Sequence, residues 1–291
     1  MQSQETTPDE YFTSTTPPAN LKAIAGKVQT FIDLNQKKNK KIVLITSVPL
    51  ENQTVRFLDN FSAGTRGATS AEHFIEAGYA VIFLHRQYSL EPYTRHYTHS
   101  TNCFLDLLEV DNNDIKVTKD HKDELRAIIE KYNRAKNESL LLKINFTTVS
   151  EYLFLLKEFT LLLDQVKDMA VEHKIQSSGG GLSLVLDQVP KIIKPLVKEW
   201  APSAFTVSFK LETDSTLLVS KSKSALEKYG HQIVIGNMLH TRKHVVWFIG
   251  REFEKEVRLT QDEIKHEVEI EKYIIAELIK LHDKWISTRA I

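Results

Sequence analysis

The chain has 291 residues, with 38 Lys and Arg balanced by 38 Asp and Glu, 42% hydrophobic and 26% charged. That composition excludes a disordered chain, and the zero net charge excludes a field that would gather nucleic acid or an anionic membrane. One cysteine, Cys103, excludes an internal disulfide and a thiolate metal cluster, and points to a reducing compartment.

In chain order, residues 1–18 lack the basic start and apolar core of a signal peptide and read as a disordered polar leader ending at Pro17 and Pro18. Residues 19–291 read as a single α/β domain. Apolar residues at Leu21, Ile24, Val28 and Ile32 have the spacing of an amphipathic helix to about Lys38. The run from Lys41 to Ser47 is β-branched and continuous, as in a strand buried on both faces. A loop follows, then a helix from about Gly67 to Ala77 closed by Gly78, then a second buried strand from Tyr79 to Leu84. This is a βαβ unit, expected to cross over right-handed. Cys103 precedes Phe104 and Leu105 on an apolar helix-like stretch, which favours a small buried side chain over a nucleophile.

Further on, the pattern predicts a helix at Asp123 to Lys136, a strand at Leu140 to Phe146 and a long helix from Val149 to about Val166. Alternation then asks for a strand, yet Lys167 to His173 is too polar and too short for a buried one. After it come a strand at Ser183 to Asp187, a helix from Pro190 and a strand at Phe205 to Leu211. A helix through Leu226, strands at Gln232 to Asn237 and His244 to Ile249, and a helix from Asp262 to Trp285 complete the chain.

Asn60 to Gly67, NFSAGTRG, lies between a strand and a helix, where free amides and the positive end of the helix dipole meet. Gly64 and Gly67 allow close approach, Ser62 and Thr65 offer hydroxyls, and Arg66 offers charge, so a phosphate is the natural guest. An ordinary N-cap turn has the same composition, and the segment is neither a P-loop nor the GxGxxG fingerprint, which disfavours a simple NAD-dependent enzyme. Lys174 to Gly181, KIQSSGGG, suits a phosphate-covering loop or a flexible linker. Phe209, Lys210 and Asn237 fall at strand ends, where open α/β sheets bind ligands, although core packing and a turn would explain the first and last taken singly. His96, His99, His240 and His244 stand at no recognisable metal spacing.

The strings VRFLDNFSAGTRGATSAE (55–72), AVEHKIQSSGGGL (170–182), VPKIIKPLVKEWAP (189–202) and FTVSFKLETD (205–214) together resemble eukaryotic phosphopantothenate cysteine ligase. The resemblance implies a three-layer, doubly wound, mostly parallel, Rossmann-like sheet and an enzyme of coenzyme A biosynthesis. It implies activation of the phosphopantothenate carboxylate as an acyl adenylate with ATP, or with CTP as the alternative nucleotide, together with Mg2+; the cysteine amine then displaces AMP. By the same resemblance Asn60 and Lys174 are catalytic, Asn60 holding the acyl intermediate and Lys174 neutralising phosphate charge. Ser62, Gly64, Gly67, Phe209 and Asn237 line the nucleotide site, and Arg56 reaches phosphopantothenate in the neighbouring subunit of a homodimer. The implied setting is cytoplasmic and also nuclear, with neither nucleic acid nor membrane as partner.

Two departures accompany the matches. The family's Gly-Gly-Thr turn after the position of Ser47 is missing. Only Lys167 and Asp168 stand where the family has a strand ending in an alanine-rich, aspartate-containing stretch against phosphopantothenate. The expectation is therefore a sheet lacking one core strand, with impaired ligase activity. A noncatalytic dimerising subunit and an inactive splice form of the same family are the alternatives.

Overall fold

The computed structural model describes residues 7–47, 63–97, 104–166, 191–289 and, as backbone, 169–174. Strand β1 (Ile42–Ser47) is buried along its whole length, so its alternating side chains need a cover on each face. Ile42 and Leu44 enter one apolar cluster with Ile82 and Leu84, covered by α2 (Leu21–Lys37) and α5 (Val149–Asp164). Val43 and Ile45 enter the opposite cluster with Val81 and Phe83, covered by α3 (Thr65–Glu76) and α9 (Glu271–Arg289). Three layers result.

After β1 and α3 the chain forms β2 (Ala80–Arg86), a two-stranded ribbon of β3 (Leu108–Asp111) and β4 (Asp114–Val117), helix α4 (Lys122–Asn137) and β5 (Leu141–Phe146). It then doubles back through α5 to β6 (Met169–Lys174) and β7 (Phe205–Glu212), with a single turn, α6 (Ile193–Pro195), continuing as a π turn over Leu196–Trp200 between them. Helix α7 (Ser215–Tyr229), strands β8 (Ile233–Met238), β9 (Val245–Ile249) and β10 (Glu254–Arg258), and the short α8 (Gln261–Lys265) lead to α9. The sheet order is β10-β9-β8-β7-β6-β1-β2-β5. Its strands run parallel from β5 to β8, and β9 and β10 are antiparallel additions.

Several expectations are corrected. The core position between β1 and β7 is filled: Met169–Lys174 pairs in parallel with both, Ile42 opposite Met169 and Phe209 opposite Lys174. Backbone hydrogen bonding explains this, because β1 and β7 would otherwise bury unpaired amides and carbonyls at about 1–3 kcal/mol each, more than a polar sequence costs the segment. The leader is not wholly unstructured: α1 (Pro8–Ser14) forms behind a capping box made by Thr7 and Glu10. Phe12 then packs edge-on against Phe154 at 5.1 Å and Trp200 at 5.5 Å. The terminal helix is two, divided where Glu267 takes a positive φ of 53°. Phe104 and Leu105 are exposed and belong to a 3-10 turn. Cys103, His99 and the strand expected at Ser183 to Asp187 lie outside the described residues.

Candidate active site at the strand ends

The chain runs outward from β1 to β2 and β5, then returns to β6 on the other side of β1. In open α/β sheets such a reversal opens a crevice at the carboxyl ends of the strands, here at Ser47 and Lys174. Helix α3 delivers its amino end to that point. Its N-cap, Gly64, adopts φ 92°, a left-handed backbone that favours glycine, and makes no side-chain cap of its own. Among the described residues no side chain caps that end, which suits its amides to an anion.

The approach of α3 to β1 depends on missing side chains. A Cβ on Gly67 would stand 2.8 Å from Ser47 Cβ, and one on Gly64 would stand 2.9 Å from Ser47 Oγ and 3.3 Å from Ser89 Cβ. On the far side Leu90 N–H donates to Ala63 O at 2.8 Å, so the segment after β2 closes the turn.

Arg66 links this helix end to the next strands. Its guanidinium lies over the Phe209 ring at 5.5 Å, donates from Nη2 to the Arg242 carbonyl at 2.7 Å, and brings Nη1 within 3.2 Å of Glu271. Phe209 is also a core residue, as the packing reading of it expects. One strand further, Asn237 stands next to the end of β8, in register with Leu211. It is buried, and its Oδ1 has no hydrogen-bond partner among the described residues. A buried acceptor left open in this way costs stability unless a ligand supplies a donor.

Gly64, Gly67, Phe209 and Asn237 are thus drawn to one end of the sheet. Lys174, expected in a glycine-rich loop, instead closes β6 beside Phe209. Arg56, Asn60 and Ser62 lie outside the described residues. Lys210 is committed elsewhere: with Lys221 it holds Glu212, at 3.1 and 3.0 Å. Burial would raise the Glu212 carboxyl, and the two lysines outweigh it and keep the group ionised.

Residues with no sequence signal complete the surroundings. His85 ends β2 in register with Ser47, stacks on Phe83 at 5.1 Å, and places Nδ1 3.1 Å from the Arg86 carbonyl. Burial pushes its pKa down, which favours the neutral ring. Behind α3, Arg95 forks onto Glu72 at 2.9 and 3.0 Å and onto Glu269 at 2.5 and 2.9 Å. No group of three His, Cys, Asp or Glu among the described residues could hold a metal ion.

No family model matches the chain. It is 42% identical to phosphopantothenate–cysteine ligase CAB2 of Saccharomyces cerevisiae, the alignment covering 96% of this chain and 87% of that protein. It is 38% identical to the phosphopantothenate–cysteine ligase of Homo sapiens, over 87% and 89% of the two chains. A solved structure of a Cab2 mutant in complex with phosphopantothenate-cysteine superposes with a TM-score of 0.84 at 40% identity, covering 97% of this chain and 100% of that one. A DNA/pantothenate metabolism flavoprotein from Streptococcus pneumoniae shares the fold, with a TM-score of 0.53 at 17% identity.

Proposed function

Since the chain belongs to the phosphopantothenate–cysteine ligase family, we propose that it joins phosphopantothenate to cysteine, with the crevice at β1 and β6 as the place where a nucleoside triphosphate activates the carboxylate. The observation that carries this reading is the amino end of α3, capped by no side chain among the described residues and pressed onto Ser47 at the reversal of strand order. A carboxylate is a poor electrophile. Its oxygen attacks the α-phosphorus and pyrophosphate leaves, giving the acyl adenylate; the cysteine amine then attacks the acyl carbon, loses a proton, and AMP departs. Such catalysis rests on positioning and on donors aimed at phosphate charge.

In this reading Gly64, Gly67 and Ser62 cradle phosphates, and Lys174 neutralises them from the end of β6. Phe209 lies against the nucleotide, and Asn237 Oδ1 accepts from a base amino group or a ribose hydroxyl. Asn60 holds the acyl intermediate. ATP is the nucleotide proposed, with CTP as the alternative, since both bases carry an amino donor. No group of three His, Cys, Asp or Glu among the described residues would cage Mg2+, which is ordinarily held by nucleotide phosphates with few protein ligands, and no step is assigned to it. A homodimer sharing Arg56 and a cytoplasmic and nuclear setting complete the proposal; no described helix is long and apolar enough to cross a membrane. Nothing observed favours a noncatalytic subunit.

The filled β6 position supports an intact sheet. By the resemblance, the alanine-rich stretch against phosphopantothenate has no counterpart, so weakened affinity for that substrate is the expected form of any impairment. Sustained pyrophosphate release should require ATP, phosphopantothenate and cysteine together, with no more than one equivalent per site when cysteine is left out, and Gly64→Val should raise the KM for nucleotide. Sustained release that ignores phosphopantothenate or cysteine would sink the reading.

A further inference from the structure

We propose that Glu269 and Glu271, on either side of the fully buried Ile270, are positioning residues that clasp α3 at two points and so set its amino end against the nucleotide. The inference rests on the reading of that helix end as the phosphate site.

A ligand held through backbone amides needs the helix placed to within a fraction of an ångström. Helix α3 carries two anchors, and both reach the same three residues. Arg66, in the first turn, brings Nη1 within 3.2 Å of Glu271 Oε1, an ion pair held by charge and without hydrogen-bond geometry. Glu72 takes the Arg95 fork, whose other side grips Glu269, and also accepts from Tyr93 N–H at 2.6 Å. Arg66 and Glu72 are six residues apart, about 9 Å along a helix axis. One anchor would leave α3 free to pivot, whereas two at that separation fix its tilt.

The segment beyond makes the clasp firm. Helix α9 begins at Glu271 and packs Ile274, Ile275 and Leu278 into the cluster that holds Ala68, Ala71 and Phe74 of α3. Because Arg66 also covers Phe209, Glu271 fixes that ring's companion as well as the helix. A glutamate pair that merely riveted the fold would stabilise it without favouring one substrate over another.

The test uses the full chain with Glu269→Gln and Glu271→Gln, which keep shape and remove charge, and with Glu271→Asp, which keeps charge and shortens reach. Steady-state assays should show the KM for ATP raised about three- to thirtyfold in the glutamine variants. The KM values for phosphopantothenate and cysteine should move by less than about twofold, and Glu271→Asp should fall between. Hydrogen exchange should quicken in the bonded amides of α3 from Ala68 onward and stay unchanged in α5. Adding Glu271→Gln to Arg66→Gln should raise the KM no further. An unchanged KM for ATP, a parallel rise for all three substrates, or full additivity in the double variant overturns the clasp. A rise on Gly64→Val with none in either glutamine variant overturns it too, and leaves the crevice standing.

Discussion

Gly67 leaves Ser47 no room for a facing side chain: a Cβ there would lie 2.8 Å from Ser47 Cβ and 2.9 Å from its Oγ. Ser47 Cβ is fixed by the backbone of a buried strand, so rotating the hydroxyl away would leave the 2.8 Å clash in place. Gly67→Ala should therefore push α3 off β1, lowering stability by about 1–3 kcal/mol and weakening nucleotide binding. Ser47→Gly in the same chain should restore most of the affinity, since it removes the clashing atoms. Thermal unfolding and calorimetric titration with ATP would measure both effects; an alanine variant with undiminished affinity would show that the close approach is irrelevant to the ligand.

Asn237 should divide stability from function. Its orphaned Oδ1 costs the unliganded protein, so Asn237→Leu, similar in size and apolar, is expected to be neutral or to gain about 1 kcal/mol in unfolding free energy. The same variant should lose about tenfold or more in affinity for ATP. A loss of stability with affinity intact would place Asn237 in the architecture alone.

Acid should unfold the protein through two groups with different windows. Burial, with the nearby Arg251 charge, lowers His231 to about 4 against an ordinary 6.5, so its contribution is full above pH 6.5 and is lost as the pH falls toward 4. Burial would raise Glu72, but His96 at 3.8 Å, Arg95 and the Tyr93 amide outweigh it and bring the carboxyl to about 2 from 4.5. Its contribution is present above pH 4.5 and disappears toward pH 2. Each shift amounts to about 3 kcal/mol. Denaturant titrations at stepped pH should show the first loss flattened by His231→Gln and the second by Glu72→Gln; identical pH profiles in wild type and variants would refute both assignments.

Phe12→Ala should detach α1. The ring meets Phe154 and Trp200 edge-on and lies 4.4 Å beneath the Lys157 ammonium. Loss of these contacts should cost about 1–2 kcal/mol and quicken proteolysis near Ser14. Unchanged cleavage would mean that the helix is held by its capping box.

The buried strands and the helices between them were legible because apolar runs and helical spacing report burial directly. Elements held by backbone pairing were not. Glu254–Arg258 and the ribbon at 108–117 are largely exposed and charged, and β6 owes its place to its neighbours' open hydrogen bonds. In the site, glycine at positions 64 and 67 announced a close approach. The ties between Arg66 and Glu271, and between Arg95, Glu72 and Glu269, join segments far apart in the chain, which local pattern cannot reveal. His85 gave no sign, since a histidine ending an apolar run looks the same whether it faces water or the interior.

Within the sheet, β6 alone touches both the early strands and the late ones. Without it, β1, β2 and β5 form one half-sheet and β7 to β10 another, bridged among the described residues by helix packing and side-chain contacts such as those of Arg66. The seam at β6 is also the line along which the crevice runs. Whatever settles there spans both halves, so occupancy should close the seam, and the two halves should part more readily when the crevice is empty.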